Sequence, residues 1–297
     1  MKLPAHNRYS YSALPHRPTY KWPNGTNLAV VVCNNIEHFA YRAGLGSDSA
    51  QPGATQNQRN YAWRDYGNRV GLWYLLDLLN ELDVPCAHNV NAAVLDYCPE
   101  IAPALLARGD ELVGHGRTNA ERQDVLWEED ERRLIQESRD AILRHGGTPR
   151  GWLGPYIAQS AVTLDLLKEE GFRYVMDWPA DDQPFWMKTR SGPILSIPYS
   201  IELNDSPALV FRQHAAQEFA TMIVDQFDEM LRLSAKYPLV CSIVLHPFIV
   251  GQPFRLRQLG RALRHILAHR DRIWLTRPCE IAEHVAGLPE GVIAMPG

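Results

Sequence analysis

The 297-residue chain has no apolar run of the ~18 residues that a bilayer-spanning helix needs. Its first 23 residues, rich in Pro, Tyr and His, contain no signal-peptide core. Together these absences predict a soluble, cytoplasmic protein and count against a secreted enzyme working on cell-wall polymers. Cysteine is sparse: Cys33, Cys86, Cys98, Cys241 and Cys279 are scattered, with no Cys-x-x-Cys pair. An odd, dispersed set suits a reducing compartment better than a disulfide framework. Excess positive charge is also missing. Thirty basic residues against 34 acidic ones give −4, so there is no electrostatic footprint for nucleic acid or an anionic membrane, and a small-molecule partner is expected. Neither Gly-x-Gly-x-x-Gly nor a P-loop follows the first strand-like run, which leaves nucleotide binding unsupported. No repeat or low-complexity linker divides the chain. One further absence bears on chemistry: His115 has no second imidazole four residues on, where the chain places Asn119.

What the chain does have is alternation. Leu28–Cys33 is a continuous, valine-rich run of the kind buried in a parallel sheet. Leu72, Leu75, Leu76, Leu79 and Leu82 then recur at helical spacing. Further strand-like runs follow at Ala87–Val90, Leu112–Gly114, Trp152–Leu153, Tyr174–Met176, Leu239–Leu245 and Ile273–Leu275. Helical segments fall between them, over Pro99–Arg108, Leu126–Arg144, Val162–Glu170, Phe219–Leu231, Leu256–Leu267 and Ile281–Val285. From Pro179 to Pro207 Pro and Gly punctuate short β-like pieces, which reads as an excursion or hairpin. About seven βα repeats in one domain predict an α/β fold. A closed or nearly closed barrel fits, with a doubly wound open sheet as the competitor. Residues 1–23 read as an N-terminal arm and 24–297 as the barrel. The arm (Tyr9, Tyr11, Tyr20, Trp22) is too short to fold alone and is expected to wrap the barrel or a neighbouring subunit.

Polar residues collect after the strand ends, where α/β barrels assemble their sites. The first strand delivers Asn34-Asn35-Ile36-Glu37-His38, and the third delivers His115 between two glycines, then Asn119. Later strands deliver Asp177-Trp178 and His246. A carboxylate and two histidines are the minimum set for activating a water and protonating a leaving nitrogen, so Glu37, His115 and His246 are the expected catalytic residues. His38 competes with Glu37 for the same role. Asn35, Asn119, Trp152, Asp177, Trp178 and Asp182 are expected to bind substrate: the amides because they donate and accept, the indoles by stacking on a planar ring. Asp181 and Asp182 also have a plainer reading as turn formers before Pro184.

In order along the chain, Asn34-Asn-Ile-Glu37, Tyr66-Gly-Asn-Arg-Val-Gly-Leu-Trp73, Glu111-Leu-Val-Gly-His-Gly116, Gly151-Trp152, Asp181-Asp-Gln-Pro-Phe-Trp186, Ile197–Asp205 and Leu245-His-Pro-Phe-Ile-Val-Gly-Gln-Pro253 resemble the polysaccharide deacetylase family. They resemble most its branch with the metal-independent allantoinase of purine degradation. The resemblance runs from about Tyr20 to Val285. It implies a single distorted (β/α)7 barrel and hydrolysis of a non-peptide C–N bond, either of an N-acetyl group or of a cyclic ureide. It also suggests a homotetramer. The family's metal-binding members take a carboxylate from the first strand end and two histidines from His-x-x-x-His, which maps onto Glu37, His115 and Asn119. The usual first-strand Asp-Asp is Asn34-Asn35 here, and the arginine of Arg-x-Pro-Tyr is Leu153. Those departures predict function without a metal cofactor, the alternative being a weakly held divalent ion such as Zn²⁺. The leading expectation is ring opening of a small cyclic amide, imide or ureide. The rivals are a metal-dependent N-deacetylase of an amino sugar and an inactive barrel kept as a binding protein.

Overall fold

The computed structural model describes residues 6–42 and 57–295. Nine strands run in chain order: β1 Leu28–Ile36, β2 Ala87–Val90, β3 Glu111–Gly114, β4 Gly151–Trp152, β5 Tyr174–Val175, β6 Phe185–Met187, β7 Ile194–Ser196, β8 Leu239–Leu245 and β9 Ile273–Thr276. They form one sheet ordered β6-β7-β5-β4-β3-β2-β1-β8, with β9 paired beside the start of β1. Every pairing among them is parallel except the β6–β7 hairpin. The wall therefore consists of seven parallel strands, β7 through β8, curled around one interior. Its seam is closed by irregular chain: Val240 N–H donates to the Asp182 carbonyl at 2.9 Å, and Val244 N–H to the Leu203 carbonyl at 3.0 Å. This is the single distorted (β/α)7 barrel expected from the sequence.

Among the described residues ten helices surround the wall: α1 Gln58–Tyr66, α2 Leu72–Leu82, α3 Ala92–Tyr97, α4 Ile101–Ala107, α5 Glu128–Arg144, α6 Thr163–Glu169, α7 Ala216–Leu233, α8 Pro247–Val250, α9 Pro253–Leu267 and α10 Pro278–Ala286. None of the described helices is long and apolar enough to cross a membrane. Strand β1 is buried along its whole length because both faces are covered. Val30 and Val32 point outward into the core under α2, α7 and α9, while Ala29, Val31 and Cys33 point inward against Leu153, Tyr174 and Met176. The two-residue alternation continues to the strand end. It turns Asn34 outward to His88, at 3.0 Å, and Asn35 inward.

Three elements differ from the sequence reading. The helix expected over Pro99–Arg108 starts at Ile101, and α3, too short to show a helical period, precedes it. Helix α1 carried no apolar stripe and went unread. Its start is capped by Asn57, whose side chain accepts from Asn60 N–H at 2.8 Å. Within Pro179–Pro207, β6 and β7 do form a hairpin, but β7 also pairs with β5 and belongs to the wall. The arm lies against its own barrel. Trp22 is buried under the strand N-termini, where its Nε1 donates to the Leu239 carbonyl at 3.0 Å. Arg8 pairs with Asp165 at 2.8 Å.

A π-helical turn, Gly67–Gly71, joins α1 to α2 where they cross the first turn of α8. The backbones approach so closely that a Cβ on Gly71 would be driven into the Pro247 carbonyl oxygen, and one on Gly67 would meet Phe248 N at 2.8 Å. Pro247 directly follows His246, so this crossing fixes where that histidine stands. Gly71→Ala is expected to cost about 1–3 kcal/mol by overpacking and to lower kcat as the His246 loop shifts. Urea unfolding and turnover measured on one preparation test this; unchanged values for both would contradict it.

Candidate active site

Three strand ends meet at the C-terminal face of the barrel. Glu37 follows β1, His115 follows β3 and His246 follows β8. Glu37 Oε1 lies 3.6 Å from His115 Nε2 and 3.6 Å from His246 Nε2. The Glu37 side chain is 7% exposed, so the carboxylate sits between two imidazoles with little water. Behind His246 stands Asp205, which is fully buried. His246 Nδ1 donates to Asp205 Oδ1 at 2.6 Å, and the His246 backbone N–H donates to Oδ2 at 2.8 Å.

The hydrogen bonds fix much of the proton inventory. The Leu153 carbonyl can only accept, so His115 Nδ1, 2.6 Å away, carries a proton. His115 Nε2 is buried, has no hydrogen-bond partner and faces the Glu37 carboxylate at 3.6 Å. Burial alone would raise the Glu37 pKa, but the neighbouring imidazoles win and hold it down at about 2. Burial alone would lower that of His246, but Asp205 and Glu37 push it up to about 10. At neutral pH the site thus holds a carboxylate beside the His246 imidazolium. By linkage, the raised His246 contributes stability that is full below pH 6.5 and lost as pH rises through about 10. The depressed Glu37 contributes stability present above pH 4.5 and lost as pH falls through about 2.

Amides hold this floor in place. Asn91 accepts from His38 N–H at 2.8 Å and donates to both the His115 carbonyl and Asn119 Oδ1, the latter at 3.3 Å. Asn68, on the π turn, donates to the Glu37 carbonyl at 2.9 Å. Above the floor is a cavity of about 250 Å³, walled by Phe39, Trp63, Tyr156, Tyr199, Phe211 and Phe248 and reached by Arg64. The Arg64 guanidinium lies over the Phe39 ring, 3.4 Å from its centroid. One wall is a strained loop: Tyr156 and Ile157 have φ of 62° and 58°, a left-handed conformation that is costly for a β-branched side chain.

Of the residues expected to bind substrate, Asn35 and Asn119 line the cavity. Asn35 is nevertheless committed. Its Nδ2 donates to Tyr199 Oη at 2.9 Å and to the Leu245 carbonyl at 3.1 Å, while its Oδ1 accepts from Asn89 at 2.9 Å. It has no free edge for a ring, and the amide that reaches the cavity is that of Asn119. The other four stand elsewhere. Trp152 points outward and packs edge-on against Phe172. Trp178 packs against Tyr9 and His6 of the arm. Asp182 lines a separate cavity beside β8. Asp177 acts through the loop: its Oδ1 accepts from Gly154 N–H at 2.6 Å and its Oδ2 from Gln159 at 2.9 Å, stapling both ends of the strained Tyr156–Ile157 turn. Burial pushes its pKa up to about 7, against those two hydrogen bonds. His38 stacks on Tyr97, away from the cavity. Asp205, Arg64, Asn91 and Tyr199 went unnominated. Asp205 had a signal only in hindsight, as an acid just before Ser-Pro, where it passes for a helix cap.

The donor set fits a catalytic metal poorly. Tetrahedral zinc holds its ligand atoms about 3.3 Å apart, and Asn119 Oδ1, the third ligand the mapping would need, is engaged by Asn91. Glu37, His115 and His246 do not close into such a cluster either. Among the described residues, the one group of three such side chains with donor atoms all within 4.8 Å of one another lies elsewhere.

No family model matches the chain. Similarity to individual proteins is extensive. The crystal structure of PuuE allantoinase superposes with a TM-score of 0.83 at 27% identity, covering 96% of this chain and 97% of that one. That of a protein assigned as a polysaccharide deacetylase from Pseudomonas aeruginosa PAO1 gives 0.80 at 28%, covering 89% and 92%. A Schizosaccharomyces pombe protein, also assigned as a polysaccharide deacetylase, is 24% identical over 299 residues, 89% of this chain and 92% of its own length.

Asp205→Asn removes the charge that sustains the His246 imidazolium. The alkaline limb of kcat/KM should move to lower pH, and neutral-pH turnover should fall by about 10²–10⁴-fold. A pH–rate profile reads both effects, and an alkaline limb that stays put would contradict the assignment.

Proposed function

We propose that this chain, similar over most of its length to PuuE allantoinase and to proteins assigned as polysaccharide deacetylases, opens a small cyclic amide, imide or ureide without a metal ion. It is a hydrolase of carbon–nitrogen bonds other than peptide bonds. The finer reading rests on one observation: a cavity of about 250 Å³, walled by aromatics, whose floor presents an unpartnered imidazole nitrogen and a buried imidazolium on either side of a carboxylate. A cup of that size suits one small ring better than a polymer, which needs an open groove.

His115 Nε2 takes a proton from water, and the hydroxide adds to the ring carbonyl carbon. Glu37, with its pKa held at about 2, is too weak a base for that step. It stabilises the imidazolium that forms on His115 and orients the water. The tetrahedral oxyanion is met by the Arg64 guanidinium and the Asn119 amide N–H. The C–N bond then breaks, and the His246 imidazolium gives its Nε2 proton to the departing nitrogen while Asp205 keeps Nδ1–H in place. The ring leaves as a carboxylic acid with a freed N–H at its other end. The acid ionises, and the site regains its starting protons by exchange with solvent.

The test is acid release at constant pH by chelator-treated, metal-analysed protein against allantoin, hydantoin, dihydrouracil, succinimide and N-acetylglucosamine oligomers. Turnover of a cyclic compound is expected, with His115→Ala and Glu37→Gln each lowering kcat by about 10²–10⁴-fold. Activity on the N-acetyl sugars alone, and only after Zn²⁺ or Co²⁺ is restored, would overturn the proposal in favour of a metal-dependent deacetylase. Ligand binding with no turnover of anything would leave a binding protein.

A further inference from the structure

At the opposite end of the barrel, α7 and α9 pack side by side and place three potential ligands together. His265 and His269 are one helical turn apart, the first on α9 and the second just beyond it, and Asp228 faces them from α7. One donor atom from each lies within 4.8 Å of the other two. His265 Nε2 is 2.8 Å from Asp228 Oδ1. Both histidines are half-buried, and Phe227 packs against both rings, with centroids at 6.0 Å and 5.8 Å, which limits how far either can swing. The neighbouring cations do not claim the carboxylate: Arg264 turns to Glu81 and Arg270 to Asp83, each at 2.6 Å.

We infer that Asp228, His265 and His269 form a binding site for a borderline divalent transition metal such as zinc, clamping α7 to α9. Two imidazoles and one carboxylate are a common three-ligand set for such ions, with water completing the tetrahedron. Opening the 2.8 Å Asp228–His265 contact to the ligand spacing of about 3.3 Å takes only a small side-chain rotation. Asp228 is exposed, so a path for the ion exists. Hard cations such as Mg²⁺ are disfavoured, because they prefer oxygen ligands. The site stands whichever substrate the cavity takes. It also changes how metal content is read: zinc retained by purified protein would sit between α7 and α9, apart from the Glu37–His115–His246 cluster, and would say nothing about catalysis.

Isothermal titration of chelator-stripped protein with Zn²⁺, and visible absorption with Co²⁺, test this. One equivalent should bind, raising the thermal midpoint and giving the intense band of four-coordinate Co²⁺. His265→Ala and His269→Ala should each weaken binding by more than about tenfold, with a smaller loss in Asp228→Asn. His115→Ala should leave the stoichiometry unchanged. Absence of a stoichiometric site in the wild type, binding that survives His265→Ala/His269→Ala, or binding lost in His115→Ala would each overturn the inference.

Discussion

The Glu37 carboxylate, held 3.6 Å from both His115 Nε2 and His246 Nε2, is the interaction on which the rest of the site depends. A charge this poorly hydrated persists only when it is paired. The pairing sustains the proton on His246 and sets His115 Nε2 against the same charge. Asp205 supplies the second carboxylate that makes the imidazolium stable in a buried place. The barrel contributes by ending three strands at one level, and the α1–α2 crossing over α8 holds the third of them in register.

At the end of β1, Asn34 turns outward to His88 and Asn35 is tied to Asn89, Tyr199 and the Leu245 carbonyl. Neutral amides there avoid piling further negative charge next to Glu37 and Asp205 in a medium of low polarity. The carboxylate of the site stands two residues beyond Asn35, at Glu37, between the two imidazoles. Asn119 fits the same account. Bound by Asn91, its amide presents hydrogen-bond donors to the cavity where a second imidazole would have presented a metal ligand.

The barrel was legible because its central strands are long and covered on both faces. Leu28–Cys33 and Leu239–Leu245 read as unbroken apolar runs and became β1 and β8. The meeting of Glu37, His115 and His246 was legible for the related reason that polar residues directly after such runs lie at the strand ends. Short elements defeated the same reasoning. Strand β4 has two residues, and nothing in two residues fixes which side chain faces inward, so Trp152 was expected at the cavity although Leu153 lines it. Asp205 and Arg64 act at long range in sequence, one from an irregular turn and one from a polar helix without an apolar stripe, and only the closed barrel brings them to Glu37. Asp177 was expected at the ligand and instead staples a loop, because its position relative to Gly154 and Gln159 is set by strand order.

The central claim is a proton inventory: at neutral pH Glu37 is charged, His246 carries two ring protons and His115 carries a proton on Nδ1. Nitrogen NMR of protein labelled at its histidine rings measures this directly. The account predicts that His246 shows two protonated ring nitrogens at pH 8 and loses one only towards pH 10, while His115 shows a protonated Nδ1. A neutral His246 at pH 8, or a His115 protonated on Nε2 alone, would contradict it.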